Sequence, residues 1–237
     1  IGLPAVVLPG DNWPWDFDKV FGSSRFSFHA AGLHLVFLSP DRRAPSMEGC
    51  SRFDPPTWEW LEKDLEANRE RPTLVFTHEN LIPPTFLDAP RLLQVLHRHP
   101  QVLATFTGHL HLDLEFRRQG LVHFICPAFA AGGRPGFKTV ALYPDRLVVN
   151  TWEQEPGGAA FVSTLKWQRI DIPEGPLRRA LAPLDRSRLL REGRQEMPPA
   201  PMVRDESLAA RQGDLLPGLF QFMMEKGLET LLPATAP

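Results

Sequence analysis

Two imidazoles two residues apart, His109 and His111, follow a glycine that itself closes an apolar run, Val102 to Thr107. A third, His78, closes another such run, Thr73 to Thr77. The pair Asp11-Asn12 comes directly after Pro9-Gly10, which break the run Leu3 to Leu8. Neutral imidazole nitrogens with carboxylate or amide oxygens are donors for Zn, Mn, Fe and related divalent ions. Residues two apart on extended backbone point the same way, so His109 and His111 are expected to reach one site. In open α/β sheets such sites gather beyond the carboxyl ends of the strands. The expected metal ligands are therefore Asp11, Asn12, His78, His109 and His111.

The other histidines are read as structural. His97 and His99 fall on a predicted helix, where positions two apart diverge, and form an expected surface pair. His34 and His123 lie in strand patterns and are expected to face polar surroundings. His29 sits near Phe26-Ser27-Phe28 and tells nothing. The loop Gly132-Gly133-Arg134-Pro135-Gly136 is read as a turn, since it lacks the Lys-Ser/Thr of a phosphate-binding P-loop. No Gly-x-Ser-x-Gly, Walker A or His-Glu-x-x-His motif occurs.

The elements that must carry these residues alternate. Leu3–Leu8 and Leu33–Leu38 read as strands. A helix over 57–68 starts near Asp54, Pro55 and Pro56, with Trp58, Leu61 and Leu65 on its buried face. The strand 73–77, a helix over 90–99 and the strand 102–107 follow. Further strands are expected at 121–126, 138–142, 147–152 and 165–170, with a hairpin at Tyr143-Pro144-Asp145-Arg146. Strand-helix alternation followed by hairpins predicts a layered α/β fold with a mixed sheet.

The bulk properties set outer bounds. The 237 residues carry 26 basic and 28 acidic side chains, a net charge of −2, which argues against a broad nucleic-acid surface. No apolar run is long enough to span a membrane. Two cysteines, Cys50 and Cys126, cannot form a disulfide framework and fit a reducing, cytoplasmic setting. Proline is in excess, 25 of 237 residues against about 5% ordinarily. Nine of these fall in the last 67 residues. We therefore expect a main domain over 1–170 and a Pro-rich extension over 171–237. In that extension 177–192 and 206–232 are candidate helices, and Pro198-Pro199-Ala200-Pro201 is a stiff spacer. The apolar stretch Leu219 to Met224 is expected to pack on the main domain, with a partner-binding or membrane-surface helix as the other reading.

Taken in order, strand-Pro9-Gly10-Asp11-Asn12, the strand pair at Phe28 and Leu33–Leu38, Trp58-x-x-Leu61-x-x-x-Leu65, strand-His78, strand-Gly108-His109-x-His111 and Cys126-Pro127-Ala128 resemble the calcineurin-like metallophosphoesterase family over about residues 3–152. The resemblance implies an αββα sandwich holding two divalent metals, Mn, Fe or Zn, and a phosphate ester as substrate, cleaved by a metal-bridging hydroxide. It implies that His78 and His109 bind the second metal with an oxygen from the Gly10 loop, and that His111 binds the first. The family's loop reads Gly-Asn-His-Asp/Glu, with Asn as ligand and His as catalytic acid. Here Asp11, Asn12 and Trp13 stand instead. Asp11 takes the ligand position, or Asn12 after a one-residue slip, and both are assigned to the catalytic loop. Asp16 is a candidate acid, and Trp13, Trp15, Phe17 and Arg134 are candidate pocket walls. The family's Asp-x-His and Gly-Asp-x-x-Asp motifs precede this loop and are absent from the chain. The expectation is an N-terminally incomplete catalytic domain, the other reading being a remnant with a decayed site. Two further functional readings stand beside the phosphoesterase: a non-catalytic binding or scaffold member, and a mononuclear hydrolase on three histidines, His78, His109 and His111.

Overall fold

A computed structural model of the chain describes residues 5–10, 17–40, 52–129 and 134–181. In chain order the elements are α1 (Phe17–Phe21), β1 (Arg25–Ala30), β2 (Leu33–Leu38), α2 (Pro55–Ala67), β3 (Thr73–Thr77), α3 (Ala89–His97), β4 (Val102–Thr107), β5 (Leu114–Arg118), β6 (Leu121–Ile125), β7 (Gly136–Leu142), β8 (Arg146–Gln154), β9 (Phe161–Asp171) and α4 (Pro176–Leu181). Six strands form a mixed sheet in the order β1-β2-β3-β4-β6-β5, and β7-β8-β9 form a second sheet. β2, β3, β4 and β6 run parallel; β1 and β5 are antiparallel edges.

Helix α2 begins where the sequence places it. Asp54 accepts from the Thr57 N–H at 2.8 Å, and the two prolines behind it occupy positions whose N–H groups would be orphaned anyway. Trp58, Leu61 and Leu65 are buried with Leu92, Leu93 and Leu96 of α3 against Val36, Leu38, Val75 and Val102 of the large sheet. On the sheet's other face Leu74, Leu103, Phe106, Val122 and Phe124 pack against Leu147, Val149 and Ile170 of the three-stranded sheet. The layers are thus helices, sheet, sheet. Ile172 and the α4 residues Leu177 and Leu181 belong to that second core cluster, so the first ten or so residues after 170 are built into the main domain. Of the helix expected over 177–192, α4 covers the beginning; residues 182–237, with the spacer and the Leu219–Met224 stretch, lie outside the described residues.

One side-chain row ties the parallel strands in register. Phe26, Phe37, Phe76, Phe106 and Phe124 are direct cross-strand partners from β1 through β6. Their rings stack with centroids 4.7 to 5.2 Å apart and planes 9° to 19° from parallel. Each aromatic pair is worth about 0.5–1.5 kcal/mol beyond its area. A slip of one residue in any strand would remove its ring from the row, so the row also fixes which residues stand at the strand ends.

Two expectations change. Residues 5–8, the described part of the strand expected over Leu3–Leu8, form no strand. The segment Leu114–Arg118 is a strand that the pattern does not announce. It is an edge strand carrying Glu115, Arg117 and Arg118, which break the apolar alternation.

Candidate functional site

Parallel strands put their carboxyl ends on one edge. His78 leaves β3 there, Gly108 and His109 leave β4, and Cys126 leaves β6. Residues 9 and 10 reach the same edge: the Ser39 hydroxyl donates to the Pro9 carbonyl at 3.5 Å. The His78 ring lies between two glycines. A Cβ on Gly10 would sit 3.2 Å from His78 Cε1 and 3.3 Å from Nδ1, and one on Gly108 would sit 3.5 Å from Nδ1. The Gly10 position is tight and a side chain there would crowd the imidazole, whereas a Cβ on Gly108 would make only ordinary contact. The Gly108 N–H donates to the His78 carbonyl at 2.9 Å, which ties the two strand ends together. The rings of His78 and His109 then meet edge-on, centroids 5.4 Å apart and planes at 82°.

The backbone after Gly108 does not extend. His109 has φ +60° and His111 φ +56°, both in the left-handed region, and the Leu110 N–H donates to the Gly108 carbonyl at 2.7 Å. The two-residue alternation expected of this segment therefore does not hold: His109 is half-buried and His111 is exposed. Among the described residues no group of three His, Cys, Asp or Glu side chains gathers closely enough to hold one ion. Asp11, Asn12, Trp13, Trp15 and Asp16 lie outside the described residues, as do Cys50 and the first two glycines of the loop, Gly132 and Gly133.

Two half-buried imidazoles brought together at a strand edge, in a cradle that a Cβ would fill, fit a divalent ion of the Zn, Mn or Fe class. Gly10, packed against the His78 ring, is followed directly in the chain by the oxygen donors Asp11 and Asn12.

Several residues at this edge carry no obvious sequence signal. Glu79 is 1% exposed and Asn80 fully buried, directly after His78. Thr107, the residue before Gly108, donates its hydroxyl to Asn80 Oδ1. Asp113, two residues past His111, takes the Lys138 ammonium, and both side chains are buried. Burial alone would raise the Asp113 carboxyl; the Lys138 hydrogen bond and charge outweigh it and hold it below the usual carboxylate range. A lysine inside the strand-like run from Phe137 to Leu142 is the one hint the sequence offers. Burial pushes the Cys126 thiol up to about 11, so it is a thiol and not a thiolate at neutral pH.

The remaining histidines are structural in ways that differ in part from the sequence reading. His34 faces a polar partner, Asp64 Oδ2, at 2.7 Å, and Asp64 Oδ1 accepts from Ser27 at 2.8 Å. His29 pairs with Asn68 at 2.7 Å. His97 and His99 are half-buried, and burial lowers both pKa values, so they are no surface pair. The helix ends at His97, which hydrogen-bonds the Arg118 backbone, while His99 lies 3.4 Å from the Gln101 amide. His123 touches Thr105 at 2.8 Å but is 2% exposed, and burial, then His97 and Arg118, depress it to about 4.

No known-family sequence model matches the chain. It is 29% identical over 165 residues to a probable cyclic nucleotide phosphodiesterase of Synechococcus, which covers 61% of this chain and 62% of that protein. Its fold is similar to a dimetal phosphatase from Danio rerio, with a TM-score of 0.52 and 17% identity over 66% of this chain and 62% of that one. It is also similar to GAP50, the anchor in the inner membrane complex of Plasmodium, with a TM-score of 0.50 and 13% identity over 79% of this chain and 64% of that one. The chain thus spans a little under two thirds of the length of these relatives. It has a metallophosphoesterase-like fold, an α/β sandwich with a central mixed sheet and few helices. Among the described residues no helix is long and apolar enough to cross a membrane.

Proposed function

We propose that this strand edge is part of a divalent-metal-dependent phosphoric ester hydrolase site. The observation that carries the reading is the His78–His109 pair, set edge-on at two parallel strand ends with Gly10 packed tightly against the His78 ring. His78 and His109 would hold one ion with an oxygen of Asp11 or Asn12, and His111 would serve a second. Bound divalent ions would lower the pKa of water and offset charge developing on phosphoryl oxygens. The chain's own part is to present neutral imidazole nitrogens from rigid strand ends and to keep the space beside His78 free of side chains. Asp16, six residues after Gly10 in the chain, is the candidate for protonating a leaving alkoxide, the task for which the family carries a histidine.

The phosphodiesterase and phosphatase named among the similar proteins support a phosphate ester as substrate class. The test is turnover of a nitrophenyl phosphomonoester and a bis-nitrophenyl diester by the full gene product with Mn, Fe or Zn, alongside its metal content. Turnover that is lost on chelation and falls at least about 100-fold in His78→Ala and His109→Ala is expected. Two bound ions with no turnover of either ester would leave a non-catalytic binding member and overturn the proposal. One tightly held zinc with activity would favour the mononuclear reading.

A further inference from the structure

The turn that carries His109 and His111 is strained and is anchored on both sides. A non-glycine residue in the left-handed region costs about 1–2 kcal/mol, and two such residues persist only where the surroundings over-determine them. The upstream anchor is the Thr107 hydroxyl on Asn80 and the Gly108 N–H on His78. The downstream anchor is Asp113. Its Oδ1 receives the Lys138 ammonium and, at 3.1 Å, the Thr151 hydroxyl. Lys138 also donates to Thr151 Oγ1 at 2.7 Å, and Lys166 reaches Asp113 Oδ2 at 3.5 Å from the exposed side. The Lys138 and Asp113 side chains are only 6% and 10% exposed. The Lys138 Nζ also stands 5.5 Å from the ring of Phe124, at the end of the phenylalanine row. The three-stranded sheet therefore grips the chain two residues beyond His111 through one buried, fully bonded charge pair.

We propose that Lys138 is a positioning residue for the histidine turn: by holding Asp113 against β7 and β8 it keeps His109 and His111 in their left-handed conformations, and so sets the directions from which their imidazoles meet a divalent cation. The cation part rests on the function proposed above; the turn geometry does not. Removing one member of a buried pair leaves an uncompensated charge and endangers the fold, whereas removing both spares it. The decisive variant is therefore the double substitution Asp113→Asn with Lys138→Met, which keeps the volumes and removes the charges.

Two readouts separate positioning from mere sheet docking. In the metal-free protein, the imidazole nitrogen signals of His109 and His111 are expected to move in the double variant while those of His34 and His123 stay. Calorimetry with Mn is expected to show affinity reduced about 10–100-fold, the usual effect of losing an orienting partner, with cooperative melting retained. Unchanged His109 and His111 signals in a folded double variant would overturn the proposal. If Mn binds wild-type and His78→Ala protein equally, the cation reading fails, and the imidazole signals still decide the positioning. If the double variant does not melt cooperatively, Thr151→Val, which removes the neutral hydroxyl and leaves the ion pair, carries the same test with a smaller shift in the same signals.

Discussion

Thr107 donates its hydroxyl to the side-chain carbonyl of Asn80, across the ends of the two strands that deliver His109 and His78. The same hydroxyl oxygen lies 3.1 Å from the Phe124 carbonyl. Asn80 is itself held by its own N–H, which donates to Thr85 Oγ1 at 2.8 Å. Both Asn80 and Thr107 are buried, so the bond has no water to replace it. Thr107→Val preserves the shape and leaves the amide oxygen orphaned. The expected cost is about 1–3 kcal/mol in a urea titration, with Thr107→Ser within about 1 kcal/mol of wild type. Equal midpoints for valine and wild type would show that the bond carries no weight.

Gly10 makes a different prediction, because what a side chain would meet there is a ring and not backbone. A Cβ would come within 3.2 Å of His78 Cε1, and the imidazole has to move by a few tenths of an ångström. Gly10→Ala should therefore change site properties more than stability. Mn affinity is expected to fall about tenfold or more, while the thermal midpoint moves little. A variant that melts as wild type and binds Mn as wild type would remove Gly10 from the site.

The histidine edge is legible in the sequence because parallel, doubly buried strands read as short apolar runs with abrupt polar ends. Thr73–Thr77 and Val102–Thr107 emerge with the expected limits for that reason. The turn after Gly108 is not legible. A left-handed φ at a histidine leaves no mark in composition, so an extended segment is the natural expectation and is wrong here. The anchors are hidden for another reason. Asn80 and Thr107 are 27 residues apart, and Asp113 and Lys138 are 25 apart, so no local period connects them. Edge strand β5 escapes because Glu115, Arg117 and Arg118 interrupt any apolar alternation.

His123 predicts how stability depends on acidity. Its folded-state pKa, about 4, lies below the ordinary 6.5 because burial, with His97 and Arg118 nearby, penalises the cation. Its contribution is thus fully present above about pH 6.5. It is lost as pH falls toward 4, where the unfolded chain takes up a proton that the folded chain refuses. A gap of about 2.5 units corresponds to roughly 3 kcal/mol. Unfolding free energy should drop by about 2–3 kcal/mol from pH 7.5 to 4.5 through this residue alone, and His123→Leu should flatten the profile by that amount. Parallel profiles for the two proteins would show that His123 is not the group that titrates.

The turn between β1 and β2 separates two kinds of positive φ. Ala31 and Gly32 sit at φ +57° and +80°, the pattern of a two-residue hairpin turn whose twist matches the strands. Alanine is the wrong residue for the first position, since its Cβ crowds the backbone there, and asparagine tolerates it better. Ala31→Asn is expected to raise stability by about 0.5–1 kcal/mol. Gly32 cannot be changed at all without moving α4. A Cβ there would lie 2.5 Å from the Ala180 carbonyl oxygen and 3.1 Å from Leu181 Cα, both backbone atoms that cannot swing aside. Gly32→Ala should cost about 2–4 kcal/mol, overpacking added to backbone strain. The loss should concentrate where α4 meets the second core cluster, through Leu177 and Leu181. Hydrogen exchange that quickens at residues 176–181 before the rest of the chain is the expected signature. A Gly32→Ala protein with wild-type stability and unaltered exchange in α4 would mean that the helix does not close on this turn.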